Sequence, residues 1–420
     1  MNNHFVLNTE FKCVYDNVHG YINISNLAQK IIDTPEFQRL RKLKQLGTCS
    51  YVFPSATHTR FEHSIGTYFL AGKIMDCIIE RTDAGDTIAD YLKSIPELKS
   101  YYDSDSIKIT KYIRELVKIA ALCHDIGHGP FSHLFDDHFL VSLNKKSKHE
   151  DRSNQLIEII IKRELPFMVN EIKFIQSLIT PNDTNSGFLY QIVSNNLNGL
   201  DVDKYDYIAR DSYMLGIKTG FDHSRLVSDI IVSSENYNIC YPKQIVFEIT
   251  KLFQSRYNLH KQIYCHKSVI SSQLMIIDMM KLVNPLLNLS DSVDDMNKFI
   301  KLTDEYVLIG IELLDLKTID SKYFIDIVNA KCILERINCH NFYKMTDSVI
   351  SDKKIEYEDK DDDYIVFQSK IGFGKKNSLD NIYTYSTKNP KNTPQKALID
   401  NVSYLIPKVQ EEFVYMKFLK

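Results

Sequence analysis

The chain lacks the features that mark secreted, membrane-spanning and nucleic-acid-binding proteins. Its 8 cysteines include no Cys-x-x-Cys pair, and no apolar N-terminal segment or long apolar run is present. A disulfide framework, a leader peptide and membrane association are therefore not expected, and we expect an intracellular protein of the cytoplasm or nucleus. Lysine and arginine number 51 against 54 for aspartate and glutamate, without a basic stripe, so nucleic acid is not an evident partner.

Length and hydrophobic content are sufficient for a large buried core. The chain has 420 residues, of which 44% are hydrophobic. After about residue 345 the pattern changes, and alternating segments at 363–368 and 382–387 predict short strands. We predict a mainly α fold, with a helical core over residues 1–290 and a smaller lobe over residues 291–420 that is helical at first and then α+β.

The run at residues 121–136 has the composition of a metal site. It contains three histidines, His124, His128 and His133, and two carboxylates, Asp125 and Asp136. Imidazole and carboxylate suit a first-row transition metal, and carboxylate can also hold Mg²⁺. The alternative is that His128, His133 and His138 are ordinary polar side chains of a turn, although an adjacent His-Asp pair in an apolar context argues against it.

Local pattern predicts how this run folds. Apolar residues at helical spacing over 107–121 place His124 and Asp125 at the buried C-terminal end of a helix. Glycines then end that helix, and Pro130 suits the first turn of a new one. On that second helix His133 and Asp136, at positions i and i+3, would share a face. Two helix ends would therefore converge on one point.

Further metal ligands must come from elsewhere in the chain. The Arg-Phe-Glu-His motif that contains His63 opens an amphipathic segment. Residues 199–211 are polar along one helical stripe, on which Asp203, Tyr207 and Asp211 stack at i, i+4 and i+8. Taken alone, this stripe is equally consistent with a solvated, salt-bridged surface.

Together these motifs resemble the HD-domain phosphohydrolases. The motifs are Arg-Phe-Glu-His-Ser-Ile-Gly, His-Asp-Ile-Gly-His-Gly-Pro-Phe-Ser-His and Asp-Val-Asp-Lys-Tyr-Asp-Tyr-Ile-Ala-Arg-Asp, in this order. Residues 33–47 and 51–54 are similar, more narrowly, to the dNTP triphosphohydrolase branch, with the vertebrate SAM-and-HD-domain group the nearest in pattern. The resemblance is strong over residues 12–285 and implies an HD-domain helical phosphohydrolase core. Because the His19-Gly20 motif lies close to the start, we expect no SAM-like domain before the core.

The resemblance implies a metal centre and a reaction. Its metal ligands would be His63, His124, Asp125 and Asp203, holding Fe, Mn or Zn, with Mg²⁺ accompanying the triphosphate. Such a metal polarises a phosphate oxygen and lowers the pKa of water. The expected reaction is hydrolysis of a dNTP to deoxynucleoside and inorganic triphosphate.

The resemblance also implies roles for other side chains. His133 would protonate the departing 5′ oxygen with Asp136 orienting it, and His128 and His149 would face the phosphates. The other phosphate contacts would be Arg60, Lys204, Tyr207 and Arg256. The sugar would be contacted by Gln45, Leu46, Asp211 and Tyr264. Leu46 and Tyr264 would exclude ribonucleotides by crowding the 2′ carbon. Cys265 departs from the pattern, since a glutamine that contacts the 3′-hydroxyl stands there in the vertebrate group.

Activation by GTP or dGTP, with assembly of a homo-oligomer (dimer or tetramer), is implied as well. The first guanine site would comprise Lys12, Asp33, Gln38 and Arg41, and the second would retain Arg225, His266, Lys267 and Lys344. Pro242, Gln244, Glu248 and His340 fall where the vertebrate group has basic or amide residues. An alternative interpretation of residues 33–36, compatible with the first, is a helix N-cap followed by proline.

Two other functions remain open from the sequence. One is an HD-type phosphodiesterase acting on a cyclic dinucleotide or nucleic acid, which would use the same ligands without sugar and triphosphate contacts. The other is a non-enzymatic nucleotide-binding HD protein. The intact set of expected metal ligands argues against the second.

Overall fold

A long central helix organises the molecule. The computed structural model describes residues 11–81, 86–101, 109–165, 167–218, 220–355, 363–372, 378–388, 394–397 and 411–420. Helix α3 is buried along most of its length and packs against α5 and α8. Among the described residues, no helix is both long and apolar enough to cross a membrane.

Helices account for most of the described elements. Their bounds are α1 (Asn26–Ile32), α2 (Pro35–Gln38), α3 (Arg60–Arg81), α4 (Asp86–Ser94), α5 (Lys111–Cys123), α6 (His149–Glu164), α7 (Val169–Ile179), α8 (Val202–Met214), α9 (His223–Val227), α10 (Val246–Leu259), α11 (Lys267–Leu287), α12 (Met296–Phe299), α13 (Asp304–Leu313) and α14 (Phe324–Asn338). Two short segments, Leu134–Leu140 and His260–Tyr264, are π-helical. The prediction of a mainly α fold is confirmed.

Strands form three small sheets. Their bounds are β1 (Phe11–Asp16), β2 (Gly20–Ser25), β3 (Ile231–Val232), β4 (Ile239–Pro242), β5 (Lys344–Ser351), β6 (Tyr364–Gly372), β7 (Tyr383–Tyr385), β8 (Gln395–Lys396) and β9 (Glu411–Leu419). β1 and β2 form an antiparallel hairpin, and β5, β9 and β6 form an antiparallel sheet in that order. The third sheet has the order β3-β4-β7-β8, with β4 and β7 parallel. Both predicted strand segments are confirmed in β6 and β7, whereas the boundary at residue 290 stays a prediction.

The helix break in the His-Asp run follows the prediction only in part. Helix α5 ends at Cys123 with His124 as its C-cap, as expected. Pro130 does not begin a helix, because Phe131 and Ser132 both adopt left-handed backbone conformations, with φ of 58° and 62°. The next helical segment starts at Leu134 and has π-type hydrogen bonding. This difference changes which acid lies beside His133.

Candidate functional site

Four side chains from three helices converge inside the molecule. His63 lies near the start of α3, His124 and Asp125 follow α5, and Asp203 lies in the first turn of α8. Asp203 Oδ1 lies 3.2 Å from His63 Nε2 and 3.6 Å from His124 Nε2. The two carboxylate oxygens of Asp125 lie 3.5 Å and 3.4 Å from the same two nitrogens. The structure therefore brings together all four side chains expected to hold a metal.

The donor atoms of this cluster fit a divalent metal ion. Ligand atoms about 2.1 Å from an ion lie roughly 3.0 to 3.4 Å apart in octahedral or tetrahedral arrangements, close to the separations observed. The Nε2 atoms of His63 and His124 are buried and make no well-formed hydrogen bond with the described residues. A bound ion would satisfy both nitrogens. Two imidazoles and two carboxylates are a donor set that suits Fe, Mn or Zn.

A second set of residues fixes the orientation of the two histidines. His63 Nδ1 lies 2.7 Å from Asp206 Oδ2, and His124 Nδ1 lies 2.8 Å from a backbone carbonyl one turn earlier in its helix. Asp206 accepts two hydrogen bonds of 2.9 Å from Arg210 and lies 2.6 Å from His19 Nε2. These outer contacts turn both Nε2 atoms toward the cluster centre.

Asp206 and Arg210 lie in the third sequence motif, but the sequence alone predicted no role for them. Helical spacing could have pointed to Asp206, since it follows Asp203 by three residues and lies on the neighbouring stripe of α8. Gly66 belongs to the same arrangement, because a Cβ atom there would lie 1.8 Å from Asp206 Oδ1. Glycine in the Arg-Phe-Glu-His-Ser-Ile-Gly motif is thus required by close helix packing.

The electrostatics of the cluster favour a cation. Burial opposes charge on both histidines, yet nearby carboxylates raise the pKa of His63 to about 10 and raise that of His124. Burial likewise opposes ionisation of Asp125 and Asp203, yet the neighbouring histidines hold both pKa values well below their usual range. Both carboxylates are therefore ionised at neutral pH, and their field attracts positive charge.

Two further histidines lie beside the cluster as a stacked pair. The rings of His128 and His149 are 3.8 Å apart with an interplanar angle of 18°. Together with Asp125, they place one ligand atom each within 4.8 Å of one another. Burial, with the charge of Arg60 adding to it, lowers the pKa of His128, and burial among other basic groups holds the pKa of His149 well below its usual value. Both rings are neutral at neutral pH and can donate an N–H to an anion.

His133 is oriented by a different acid from the one expected. Its Nδ1 atom lies 3.2 Å from Asp137 Oδ2. Asp136 instead accepts a hydrogen bond from Arg152 and lies 3.3 Å from His128 Nδ1. The π-helical turn places residue i+4, and not i+3, beside His133. Although desolvation opposes it, the hydrogen bond to Asp137 raises the pKa of His133.

One cavity of about 550 Å³ is lined by His124, Asp125 and Asp203 of the cluster, by the histidines beside it and by the expected cations. Its size lies within the range of small-molecule sites. Arg60 is only 2% exposed and donates to Asp125 in the metal cluster. Lys204 Nζ lies 3.0 Å from an oxygen of Asp201. Burial opposes charge on Lys204, yet the nearby carboxylates raise its pKa. Positive charge is thus held in place along one side of the cavity.

Arg256 and Tyr207 extend that side. Arg256 Nε donates to the Tyr207 hydroxyl at 3.2 Å. Tyr207 belongs to the polar stripe of α8, and all three stripe residues line the cavity. The predicted stripe is therefore turned inward, and the alternative of a solvated face is wrong.

The far end of the cavity is built around Asp211. Its Oδ2 atom accepts a hydrogen bond from the Tyr264 hydroxyl, and its Oδ1 atom lies 2.7 Å from His58 Nε2. Gln45, Leu46 and Cys265 also line this space, so every residue expected to contact substrate is in the cavity. His58 was missed, because a histidine five residues before His63 has no distinguishing spacing.

The C-terminal sheet also reaches the cavity. Phe367 and Ser369, both on β6, line it. The Phe367 ring lies 5.6 Å from that of His138. The packing of β6 beside His138, more than 200 residues earlier in the chain, cannot be inferred from a strand pattern. For this reason the sequence did not point to Phe367 or Ser369.

A second cavity, of about 290 Å³, lies under the N-terminal hairpin. Lys12, Asp33, Gln38 and Arg41 all line it, as the first guanine site would require. Arg41 Nε donates to Gln38 Oε1 at 2.9 Å, and its guanidinium lies 3.4 Å from the centre of the Phe61 ring. Thr34, and not Asp33, caps helix α2, which leaves the Asp33 carboxylate facing the cavity.

The residues of the expected second guanine site lie outside both of these cavities. Within the described part of the chain, the following residues line neither of them: Arg225, His266, Lys267 and Lys344. Arg225 forms an ion pair of 2.9 Å with Glu248, one of the positions that departs from the vertebrate pattern. His266 accepts a hydrogen bond from the Ser268 N–H and caps helix α11.

Comparison with known proteins matches this region to an established family. The HD domain family model matches residues 60–210, which span His63, the His-Asp run and Asp203. An HD domain-containing protein of Acanthamoeba polyphaga mimivirus is 42% identical over 396 residues, covering 88% of this chain and 84% of that protein.

Two relatives have names that state an activity. The deoxynucleoside triphosphate triphosphohydrolase SAMHD1 homolog of Dictyostelium discoideum is 37% identical over 344 residues, covering 81% of this chain but only 60% of the relative. The human deoxynucleoside triphosphate triphosphohydrolase SAMHD1 is 31% identical over 462 residues, covering 94% of this chain and 68% of the relative.

Proposed function

Because this chain belongs to the HD-domain family that includes the SAMHD1 triphosphohydrolases, we propose that it hydrolyses a dNTP to deoxynucleoside and inorganic triphosphate. One observation carries the proposal: a single cavity is lined by a His-Asp cluster with cationic side chains and also, about two turns of α8 beyond Asp203, by the Asp211–Tyr264 pair. That arrangement matches the chemistry of a nucleotide, whose phosphates are anionic and whose sugar offers hydroxyls. The other HD activities would leave the Asp211 end without a partner.

His63, His124, Asp125 and Asp203 would hold the metal. When bound, the ion supplies Lewis acidity toward a phosphate oxygen and lowers the pKa of water. The orphaned Nε2 atoms of the two histidines support this assignment. Which of Fe, Mn and Zn is held, and whether Mg²⁺ accompanies the triphosphate, are expectations of the proposal.

Side chains of the protein would assist bond formation and bond breaking at the α-phosphorus. A water oxygen forms a bond to phosphorus and loses a proton to solvent while the bond to the 5′ oxygen breaks. His133 donates its proton to the 5′ oxygen and regains one from solvent. The Asp137 hydrogen bond raises the pKa of His133 and so favours the protonated imidazole that this step needs. General acid catalysis of this kind contributes about 10² to 10⁴ in rate. Arg60 and Lys204 would stabilise the charge on the phosphates.

Sugar selection would take place around Asp211. Tyr264 is held by its hydrogen bond to Asp211, and His58 holds the other oxygen of the same carboxylate. A tyrosine fixed in this way presents a rigid edge to the sugar. Together with Leu46, it would leave no room for a 2′-hydroxyl, so dNTPs would be preferred over ribonucleotides.

The cavity under the hairpin would bind a guanine nucleotide as an activator. Asp33 can accept hydrogen bonds from the N1 and amino groups of guanine, and Lys12 and Arg41 supply positive charge for phosphates. A homo-oligomer and an intracellular location are part of the same proposal. The ion pair of Arg225 with Glu248 argues for a weaker second activator site.

Separation of products tests the proposal. The purified protein is incubated with each dNTP, with cyclic dinucleotides and with ribonucleotides, in the presence of Mn²⁺ or Mg²⁺ and with or without GTP. We expect deoxynucleoside and triphosphate in equal amounts, and none from the His124→Ala variant. Hydrolysis of a cyclic dinucleotide without triphosphate release would replace the proposal with a phosphodiesterase.

A further inference from the structure

A buried carboxylate outside the HD region joins two walls of the large cavity. Asp304 is the first residue of α13 and is 5% exposed. Its Oδ1 atom accepts from the Phe131 backbone N–H at 2.6 Å, and its Oδ2 atom accepts from the Lys44 backbone N–H at 3.0 Å. The first turn of α13 is capped by the Thr303 hydroxyl. The Asp304 carboxylate thus accepts hydrogen bonds from two segments that are far apart in the sequence.

Both of these segments line the large cavity. Lys44 precedes Gln45 and Leu46, which lie at the sugar end, and Phe131 precedes Ser132 and His133 near the phosphate end. The segments also touch directly, because the Ser132 hydroxyl donates to the Lys44 carbonyl at 2.8 Å. The position of one wall relative to the other therefore depends on a few polar contacts, and Asp304 makes two of them.

The Phe131 segment is held in an unfavourable conformation. Phe131 and Ser132 have φ of 58° and 62°, a region that costs about 1 to 2 kcal/mol for a residue with a side chain. Such a conformation persists only when surrounding contacts impose it. Asp304 fixes the N–H of Phe131, while Ser132 accepts a hydrogen bond of 2.8 Å from Arg60 Nε. Without the Asp304 contact, we expect the turn to relax to a backbone conformation of lower energy.

Fold stability gives little reason for a carboxylate at this position. Burial raises the pKa of Asp304 to about 6 even though two backbone N–H groups and the nearby Lys44 and Arg39 act in the opposite direction. Because the folded pKa lies above the usual carboxyl value, the ionised group destabilises the folded state relative to the unfolded chain at neutral pH. The ionised group is therefore better explained by what it positions.

We propose that Asp304 is a positioning residue, which holds the Phe131 turn against the Lys44 segment and so sets His133 relative to Leu46. The inference rests on the proposed hydrolysis of dNTPs. It assigns a role to a residue outside the HD match, in the predicted C-terminal lobe. A displacement of about 1 Å at reacting groups can cost on the order of 10²-fold in rate, so this contact matters for turnover.

The test compares Asp304→Asn with Glu305→Gln, a matched variant that alters an exposed acid in the same helical turn. Asparagine has one acceptor oxygen, so one of the two N–H groups loses its partner. We expect kcat of Asp304→Asn to fall by about 10- to 100-fold, with bound metal unchanged and the variant still folded at the assay temperature. Asp304→Ala, which has no acceptor, should lose more, and Glu305→Gln should behave as wild type.

Specific outcomes would overturn the proposal. Wild-type kcat in both Asp304 variants would do so, and so would an activity loss fully explained by a smaller folded fraction. Absence of dNTP turnover in the wild-type protein would remove the proposed function and this inference together. An active wild type with an unimpaired Asp304→Asn variant would remove only the inference.

Discussion

The Nδ1 atom of His63 lies 2.7 Å from the Oδ2 atom of Asp206, while its Nε2 atom faces the His-Asp cluster. Asp206 is fully buried and is itself held by Arg210 and His19. A carboxylate behind a metal-binding imidazole fixes the ring and strengthens it as a ligand. The relationship therefore links the N-terminal hairpin to the proposed metal centre.

Replacing Asp206 should weaken metal binding without removing a ligand. We expect Asp206→Asn to reduce affinity for Mn²⁺ or Zn²⁺ by about 10- to 100-fold, measured by competition with a chromophoric chelator. His19→Phe, which removes only one of the contacts to Asp206, should have a smaller effect in the same direction. Arg210 keeps its 2.8 Å contact with Asp16, so circular dichroism should report a folded variant. Unchanged affinity in folded Asp206→Asn would contradict the role given to this carboxylate.

Removing Asp137 should shift the pH profile of turnover. Its hydrogen bond raises the pKa of His133, so Asp137→Asn should lower that pKa and the imidazole should lose its proton at a lower pH. The alkaline limb of kcat/KM is then expected to move toward lower pH. Asp294→Asn is the control, since Asp294 is exposed and pairs with Lys145 away from the cavity. Identical limbs in wild type and Asp137→Asn would rule out His133 as the general acid oriented by Asp137.

Cys265 can be tested by restoring the glutamine of the vertebrate group. The cysteine is buried and lines the large cavity next in sequence to Tyr264, and its thiol is a weak hydrogen-bond donor. We expect Cys265→Gln to lower KM for dNTP by about 5-fold, the effect of roughly one added hydrogen bond. Cys265→Ser, which is too short to reach as far, should change KM less. A rise in KM for Cys265→Gln alone would indicate that the 3′-hydroxyl is bound elsewhere.

The cavity under the hairpin should distinguish guanine from adenine. Calorimetric titration is expected to show binding of GTP but much weaker binding of ATP, because a carboxylate can accept from both N1–H and the amino group of guanine, whereas N1 of adenine is itself an acceptor. Asp33→Asn should lose at least about 10-fold in GTP affinity, as expected for a charge-assisted hydrogen bond, while its affinity for ATP stays low. Equal GTP binding by Asp33→Asn and wild type would place the guanine elsewhere.

The sequence was sufficient for the side chains whose positions follow from helical periodicity. The end of α5 at His124 and the alignment of Asp203, Tyr207 and Asp211 on one face of α8 follow from local spacing, but spacing alone did not show that this face is turned inward. Their convergence on His63 came from the family resemblance, because long-range packing is not encoded in any one segment.

What the sequence did not reveal depended on backbone detail or long-range contacts. The left-handed Phe131–Ser132 turn and the π-helical segment after it moved Asp137, and not Asp136, beside His133. A proline before the turn had favoured an ordinary helix start. Asp304 and His58 act across more than 100 residues of chain, so no local pattern marks them.

The position of bond cleavage tests the central claim most directly. The protein is incubated with a dNTP in water enriched in ¹⁸O, and the products are separated and weighed by mass spectrometry. Attack at the α-phosphorus predicts one ¹⁸O atom in the triphosphate and none in the deoxynucleoside. Release of deoxynucleoside monophosphate and pyrophosphate, or label in the 5′-hydroxyl of the deoxynucleoside, would contradict it.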